Sequence, residues 1–324
     1  MLLHPSLVET KWIAPTWFAA FAAFAAFAAA AMAACGASPA ADGDASSAAP
    51  APDDAGSPFL DGAPAPPADA AGCVAPEMLV VLDRTESMRS RPDGTVPPGD
   101  LYPESKWAIA TGAVKTLAAP PNDATVAFGL ELFPRDPGGT SCRTLAEELA
   151  GKSANNPKCE EAELLVPPSS GAGTAIGGAL DVSTARLCNS TPIGTALRNA
   201  AATLAASTSH RRQFVLLVTD GEESCGTDPA SAAQALAATG VKTYVVAFAP
   251  TDAGPGGVAV GGLNDIACAG GTAFDLGTTC GIRNGGVRAL QPRGRALYHQ
   301  AGDAAGLRAA LDAIRGETCC GCVK

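Results

Sequence analysis

Met78-Leu79-Val80-Val81-Leu82-Asp83-Arg84-Thr85-Glu86-Ser87-Met88 decides how the chain is read. Five large apolar side chains in a row, with no polar alternation, are the pattern of a strand covered on both faces. Such strands belong to parallel sheets sandwiched between helices. Asp83 ends the run, and Thr85 and Ser87 follow at alternate positions. On an extended turn, alternation turns a carboxylate and two hydroxyls towards one point. Hard oxygen donors, some of them neutral, are the set that Mg2+ takes, with water or a partner's oxygen completing its octahedron.

Outward from this stretch the apolar pattern recurs at Gln213–Thr219 (QFVLLVT) and Val241–Phe248 (VKTYVVAF). Thr125–Phe133 alternates more, and Glu163–Val166, ended by Pro167-Pro168, suits an edge strand. Helical spacing marks Lys106–Ala118, Ile176–Leu187, Thr195–Ala206 and Pro229–Thr239. Asp228 is placed to cap the last of these, ahead of Pro229, with Gly240 beyond its end. Ala296–Gln300 and a helix over Asp303–Ile314 close the series. Strands alternating with helices predict an α/β fold: a doubly wound, mostly parallel sheet with one antiparallel edge strand and helices on both faces. Residues 269–295 show no clear element.

In open α/β sheets, sites form at the carboxyl ends of the strands, near the point where strand order reverses. Two apolar strands end there in aspartate, LVVLD at Asp83 and LLVTD at Asp220. Together with Asp83-x-Thr85-x-Ser87 and Ile193-Gly194-Thr195-Ala196-Leu197, these pieces make residues 73–324 resemble a von Willebrand factor type A domain with a metal-ion-dependent adhesion site. The resemblance implies a Rossmann-like fold. It also implies a metal set of Asp83, Thr85, Ser87, Thr195 and Asp220, with Thr85, Ser87 and Thr195 in direct contact and the aspartates acting largely through water. Threonine stands at position 85 where the family has serine, and Glu86 where glycine is usual. The implied ion is Mg2+, with Mn2+ or Ca2+ as substitutes. The implied partner is a protein presenting an acidic side chain to the open coordination position. Glu86, Glu222 and Glu223 are read as charges on the rim, where they would tune the choice of ligand.

The chain has 324 residues and eleven cysteines, an odd number that leaves one to explain. An apolar run reaching Ala34 and ending at Cys35-Gly36 reads as a secretion signal. Its tail, Met32-Ala33-Ala34-Cys35, resembles the lipobox of bacterial lipoproteins, which implies cleavage after residue 34 and acylation of Cys35. A retained anchor over Trp12–Ala34 and plain secretion are the alternatives. Residues 36–72 hold 13 Ala, 7 Pro, 6 Asp, 5 Gly and 4 Ser with no Lys or Arg, too little apolar surface for a core. They read as a disordered tether. All three readings of the leader place the rest of the chain outside the cytoplasm, and the lipobox resemblance implies a bacterial cell envelope, periplasmic or surface-exposed.

Removing Cys35 leaves ten cysteines, an even set suited to an oxidising compartment: Cys73, Cys142, Cys159, Cys188, Cys225, Cys268, Cys280, Cys319, Cys320 and Cys322. The first pairings to test are Cys142 with Cys159 across a polar loop, Cys188 with Cys225 beside the site, Cys268 with Cys280, and Cys73 with one of the last three.

Composition closes off other classes. The net charge of −10, six units of it in the tether, excludes a nucleic-acid surface. Neither a G-x-x-x-x-G-K-[ST] phosphate loop nor a G-x-S-x-G elbow is present. Of the three histidines, His4 lies in the leader, His210 in a polar turn and His299 at a strand end. The expectation is therefore a non-enzymatic envelope lipoprotein that binds a macromolecule through a divalent cation. A metal-independent envelope scaffold is the alternative, with a metal-dependent hydrolase further behind.

Overall fold

The computed structural model describes residues 74–96, 102–138, 142–144, 147, 159, 161–181, 186–221, 223–248, 260–292 and 295–318. All of these lie within one compact unit, Gly62–Lys324. The leader, Cys35, the tether, Cys73, Glu222, Cys319, Cys320 and Cys322 lie outside the described residues. Among the described residues, no helix is long and apolar enough to cross a membrane.

Strand β1 (Glu77–Asp83) runs through the middle of a six-stranded sheet. It pairs in parallel with β2 (Ala127–Phe133) on one side and β6 (Gln213–Thr219) on the other, in register from Glu77 opposite both Ala127 and Gln213. Beyond β6 lie β7 (Lys242–Ala247) and the two-residue β10 (His299–Gln300), both parallel. Beyond β2, β4 (Glu163–Ser169) runs antiparallel at the edge. Every residue of β1 is buried, as its unbroken apolar run requires. Its alternate side chains feed two cores. Met78, Val80 and Leu82 pack with α1 (Lys106–Ala118) and α8 (Ala304–Thr318). Leu79 and Val81 pack with α4 (Ile193–Ala205), α5 (Pro229–Ala238) and α6 (Val260–Ala269). The short α2 (Asn122–Thr125) leads into β2.

Three of the expected elements need correction. The helix expected over Ile176–Leu187 is shorter: α3 is Gly173–Ala179, and Arg186–Cys188 forms β5, paired antiparallel with β3 (Cys142–Thr144). Gly177 and Gly178 weaken the helix just where it stops. The edge strand does not end at its proline pair but continues through it to Ser169. Gly129 permits this, since a Cβ built there would lie 2.8 Å from Pro168 Cγ, and the register shifts at the same point. The featureless 269–295 segment holds α7 (Leu276–Thr279) and a hairpin of β8 (Cys280–Arg283) and β9 (Gly286–Ala289). Asn284 and Gly285 turn it with φ of 50° and 79°, as a type I′ turn demands.

The cysteines beside the site exchange the expected partners. Cys142 is bonded to Cys188 and Cys159 to Cys225, because β3 pairs with β5 and sets Cys142 directly opposite Cys188. Cys268–Cys280 forms as expected and ties the hairpin to the end of α6.

Candidate metal-ion-dependent adhesion site

The site is built where β1 and β6 end side by side. Asp83 is fully buried, and both its oxygens accept hydrogen bonds: Oδ1 from Thr85 N–H at 2.7 Å and Oδ2 from Thr219 Oγ1 at 2.6 Å. The first bond closes an Asx-type turn that swings the chain out of the strand into a short 3-10 turn, Glu86–Arg89. The turn exposes Ser87, whose hydroxyl donates to Asp220 Oδ1 at 2.8 Å. Thr85 Oγ1 lies 2.9 Å from Ser87 Oγ. Since the single Ser87 proton goes to Asp220, the Thr85 hydroxyl is the donor in that pair. Asp83, Thr85, Ser87 and Asp220 are thus one hydrogen-bonded chain, drawn from elements 133 residues apart.

Burial pushes the Asp83 carboxyl up from its ordinary value, and the nearby charge of Asp220 adds to that rise; the bonds from Thr219 and Thr85 oppose it. Two carboxylates held close in a dry place favour a cation between them. Among the described residues, no group of three His, Cys, Asp or Glu side chains is gathered. An ion held here would therefore depend on the hydroxyls as much as on the aspartates. Two carboxylates and neutral hydroxyls suit a hard divalent cation better than a soft one.

A cavity of about 540 Å3 opens over these hydroxyls, walled by Thr85, Ser87, Glu86, Arg89, Thr191 and Ser224 among others. Thr191, rather than Thr195, supplies the threonine on this wall. Its side chain lies beside the residue that follows Asp220, since a Cβ built on Gly221 would sit 3.8 Å from Thr191 Oγ1. Ser224 grips its backbone from both sides, Thr191 N–H donating to Ser224 Oγ at 2.6 Å and Ser224 N–H to Thr191 O at 3.1 Å. Thr195 falls inside α4, where its hydroxyl accepts from Arg198 Nη2 at 2.9 Å. The helix begins at Ile193, so the loop threonine is the one before Pro192, and the Thr191-Pro192 step was the sequence mark that identifies it.

Of the rim charges, Glu86 lines the cavity and lies 3.7 Å from Arg89. Glu223 turns inward instead, accepting from Gly194 N–H at 2.8 Å and Cys225 N–H at 2.7 Å. Its role is to pin the start of α4. One residue was not anticipated. Lys106, the first residue of α1, is only 8% exposed and places Nζ 2.6 Å from Asp220 Oδ2. Its sequence neighbourhood carries no mark of this, because the contact spans 114 positions. His210 is exposed in the turn before β6, and His299 sits on β10, packed edge-on against Phe274. Neither joins the cavity.

Residues 175–279 match the von Willebrand factor type A domain. That stretch runs from α3 to α7 and takes in Thr191 and Asp220. Asp83, Thr85 and Ser87 precede it.

Solved structures to which this chain is similar include proximal thread matrix protein 1 from the mussel byssus. It is 15% identical with a TM-score of 0.46, covering 75% of this chain and 48% of that one. This chain therefore spans about half the length of the mussel protein. A second structure of that protein, 18% identical with a TM-score of 0.35 and covering 54% and 37%, has zinc in its MIDAS motif. A von Willebrand factor type A protein from Catenulispora acidiphila is 14% identical with a TM-score of 0.44, covering 75% and 42%. The pilus adhesin SpaC from Lactobacillus rhamnosus GG is 16% identical with a TM-score of 0.46, covering 76% and 31%. No curated protein matches the sequence.

Proposed function

We propose that the type A domain binds a protein ligand through a divalent cation held by Asp83, Thr85, Ser87, Thr191 and Asp220. The observation that carries this reading is the single hydrogen-bonded chain from Asp83 through Thr85 and Ser87 to Asp220, beneath a cavity that Thr191 also walls. Bound there, a cation supplies an electrophilic centre that an acidic side chain of the partner can complete. The protein's own residues do the rest. Thr219 and the Thr85 amide hold Asp83 in one orientation. Ser224 fixes Thr191, and the cavity leaves Ser87 open to the approaching ligand.

In this reading the ion is Mg2+, the chain is not an enzyme, and Cys35 carries lipid that anchors it to a bacterial envelope. Binding of an envelope protein to the immobilised chain in Mg2+, lost in EDTA and in the Asp220→Ala variant, is the expected result. A Cys35→Ser substitution should leave an unprocessed precursor, and a mature product of normal mobility would remove the lipid anchor from the account.

The Lys106–Asp220 pair favours a second reading, in which the same face binds its partner without metal. Capture that survives EDTA unchanged would select it.

A further inference from the structure

The cluster has a feature that a simple oxygen cage does not need. Each carboxylate oxygen of Asp83 and Asp220 already has a partner, and three of the four partners are neutral: the Thr85 amide and the Thr219 and Ser87 hydroxyls. The fourth is the Lys106 ammonium on Asp220 Oδ2. Hydroxyls can turn their lone pairs towards a cation without leaving. An ammonium has no lone pair to offer and repels a dication at close range.

Lys106 opens α1 directly after the Ser105 cap, where the helix dipole disfavours a positive charge. Its local surroundings therefore do not hold the ammonium there, and Asp220 is what draws it in. The aliphatic stem is flexible, so the head can leave by rotation without moving the helix.

We infer that Lys106 is a displaceable counter-ion of the cation site, occupying Asp220 until a divalent cation enters and thereby setting the cation concentration at which the site fills. The inference rests on the proposed metal site. The ammonium cancels negative charge that the two carboxylates would otherwise offer, so a dication is drawn more strongly once the lysine is neutralised. The same pair compensates the buried aspartates while the cation is away, which lets the domain keep its fold at low cation concentration.

The experiment is isothermal titration of Mg2+ into the unmutated chain and into the Lys106→Gln and Lys106→Arg variants, paired with lysine acylation. Lys106→Gln should bind Mg2+ at least tenfold more tightly, whereas Lys106→Arg, which keeps the charge, should bind no more tightly than the unmutated chain. In the unmutated chain, saturating Mg2+ should raise acylation of Lys106 severalfold, read by peptide mass mapping. The acylation arm decides the matter even if Lys106→Gln fails to fold. Equal or weaker Mg2+ binding by Lys106→Gln, or Mg2+ binding that leaves Lys106 acylation unchanged, overturns the inference while the metal site stands. Absence of Mg2+ heat from all three proteins overturns the inference and the metal site together.

Discussion

Thr85 and Cys188 are joined as a single parallel bridge, with Cys188 N–H donating to Arg84 O at 3.0 Å. The loop that carries the first hydroxyls is therefore stitched to a strand whose own side chain is bonded to Cys142. The Cys159–Cys225 bond holds the segment whose Ser224 lines the same cavity and grips Thr191. Both disulfides brace the walls of the site. Removing Cys159–Cys225 by a double alanine substitution should lower stability by about 2–4 kcal/mol, the usual range for closing a loop of this size. It should also weaken Mg2+ binding severalfold. An unchanged denaturation midpoint together with unchanged Mg2+ affinity would show that the bond braces nothing.

Thr191 and Thr195 make a matched pair of tests. Valine is close to isosteric with threonine and removes the hydroxyl. Thr191→Val should weaken Mg2+ binding by about tenfold, the loss expected from one neutral oxygen ligand worth ~1.4 kcal/mol. Thr195→Val should leave it unchanged, because that hydroxyl serves Arg198. Titration calorimetry on both variants separates the two positions, and the opposite pattern would return the ligand role to Thr195.

Much of this arrangement was readable in the residues. The unbroken apolar runs ending in Asp83 and Asp220 marked two buried strands, each with a carboxylate at its carboxyl end, and Asp228 with Pro229 marked the start of α5; that the two strands are neighbours comes from the sheet order. Asp228 does cap that helix, accepting from Ser231 N–H at 3.1 Å. What the sequence left unread depended on non-local pairing. The exchange of cysteine partners follows from β3 meeting β5, two three-residue strands too short to carry a pattern of their own. Lys106 reaches Asp220 only because α1 packs beside the ends of β1 and β6. The β8–β9 hairpin is a different case, since Asn284-Gly285 is a strong local turn mark that the glycine-rich surroundings obscured.

Glu131 lies on β2 opposite Val81, buried at 1% exposure, and its Oε1 has no hydrogen-bond partner among the described residues. Burial pushes its carboxyl up to about 8. The folded state therefore keeps a proton that the unfolded chain loses near its ordinary value, so stability should fall as pH rises from about 4.5 to about 8. Glu131→Gln, which cannot ionise, should flatten that dependence and stabilise the protein at pH 8 by a few kcal/mol at most, ~1.4 kcal/mol for each pH unit that separates the folded and unfolded titrations. Urea midpoints at about pH 5 and about pH 8 check it. Identical pH dependence in both proteins would place the titration elsewhere.

Gly194 lets the start of α4 press against the Thr227–Pro229 segment that leads into α5. A Cβ there would lie 2.3 Å from Thr227 Oγ1 and 3.2 Å from Pro229 N. Gly194→Ala should destabilise the domain by about 1–3 kcal/mol through overpacking. It should also disturb the neighbouring Glu223 bond to the Gly194 amide. A melting temperature equal to that of the unmutated protein would contradict this close approach.

Titrating Mg2+ into the purified chain reads out whether Asp83 and Asp220 hold one cation between them. The expected result is a saturable binding isotherm that disappears in both Asp83→Ala and Asp220→Ala, each shown to be folded by circular dichroism. A heat-free trace with the unmutated chain, or binding that survives both substitutions, would contradict it.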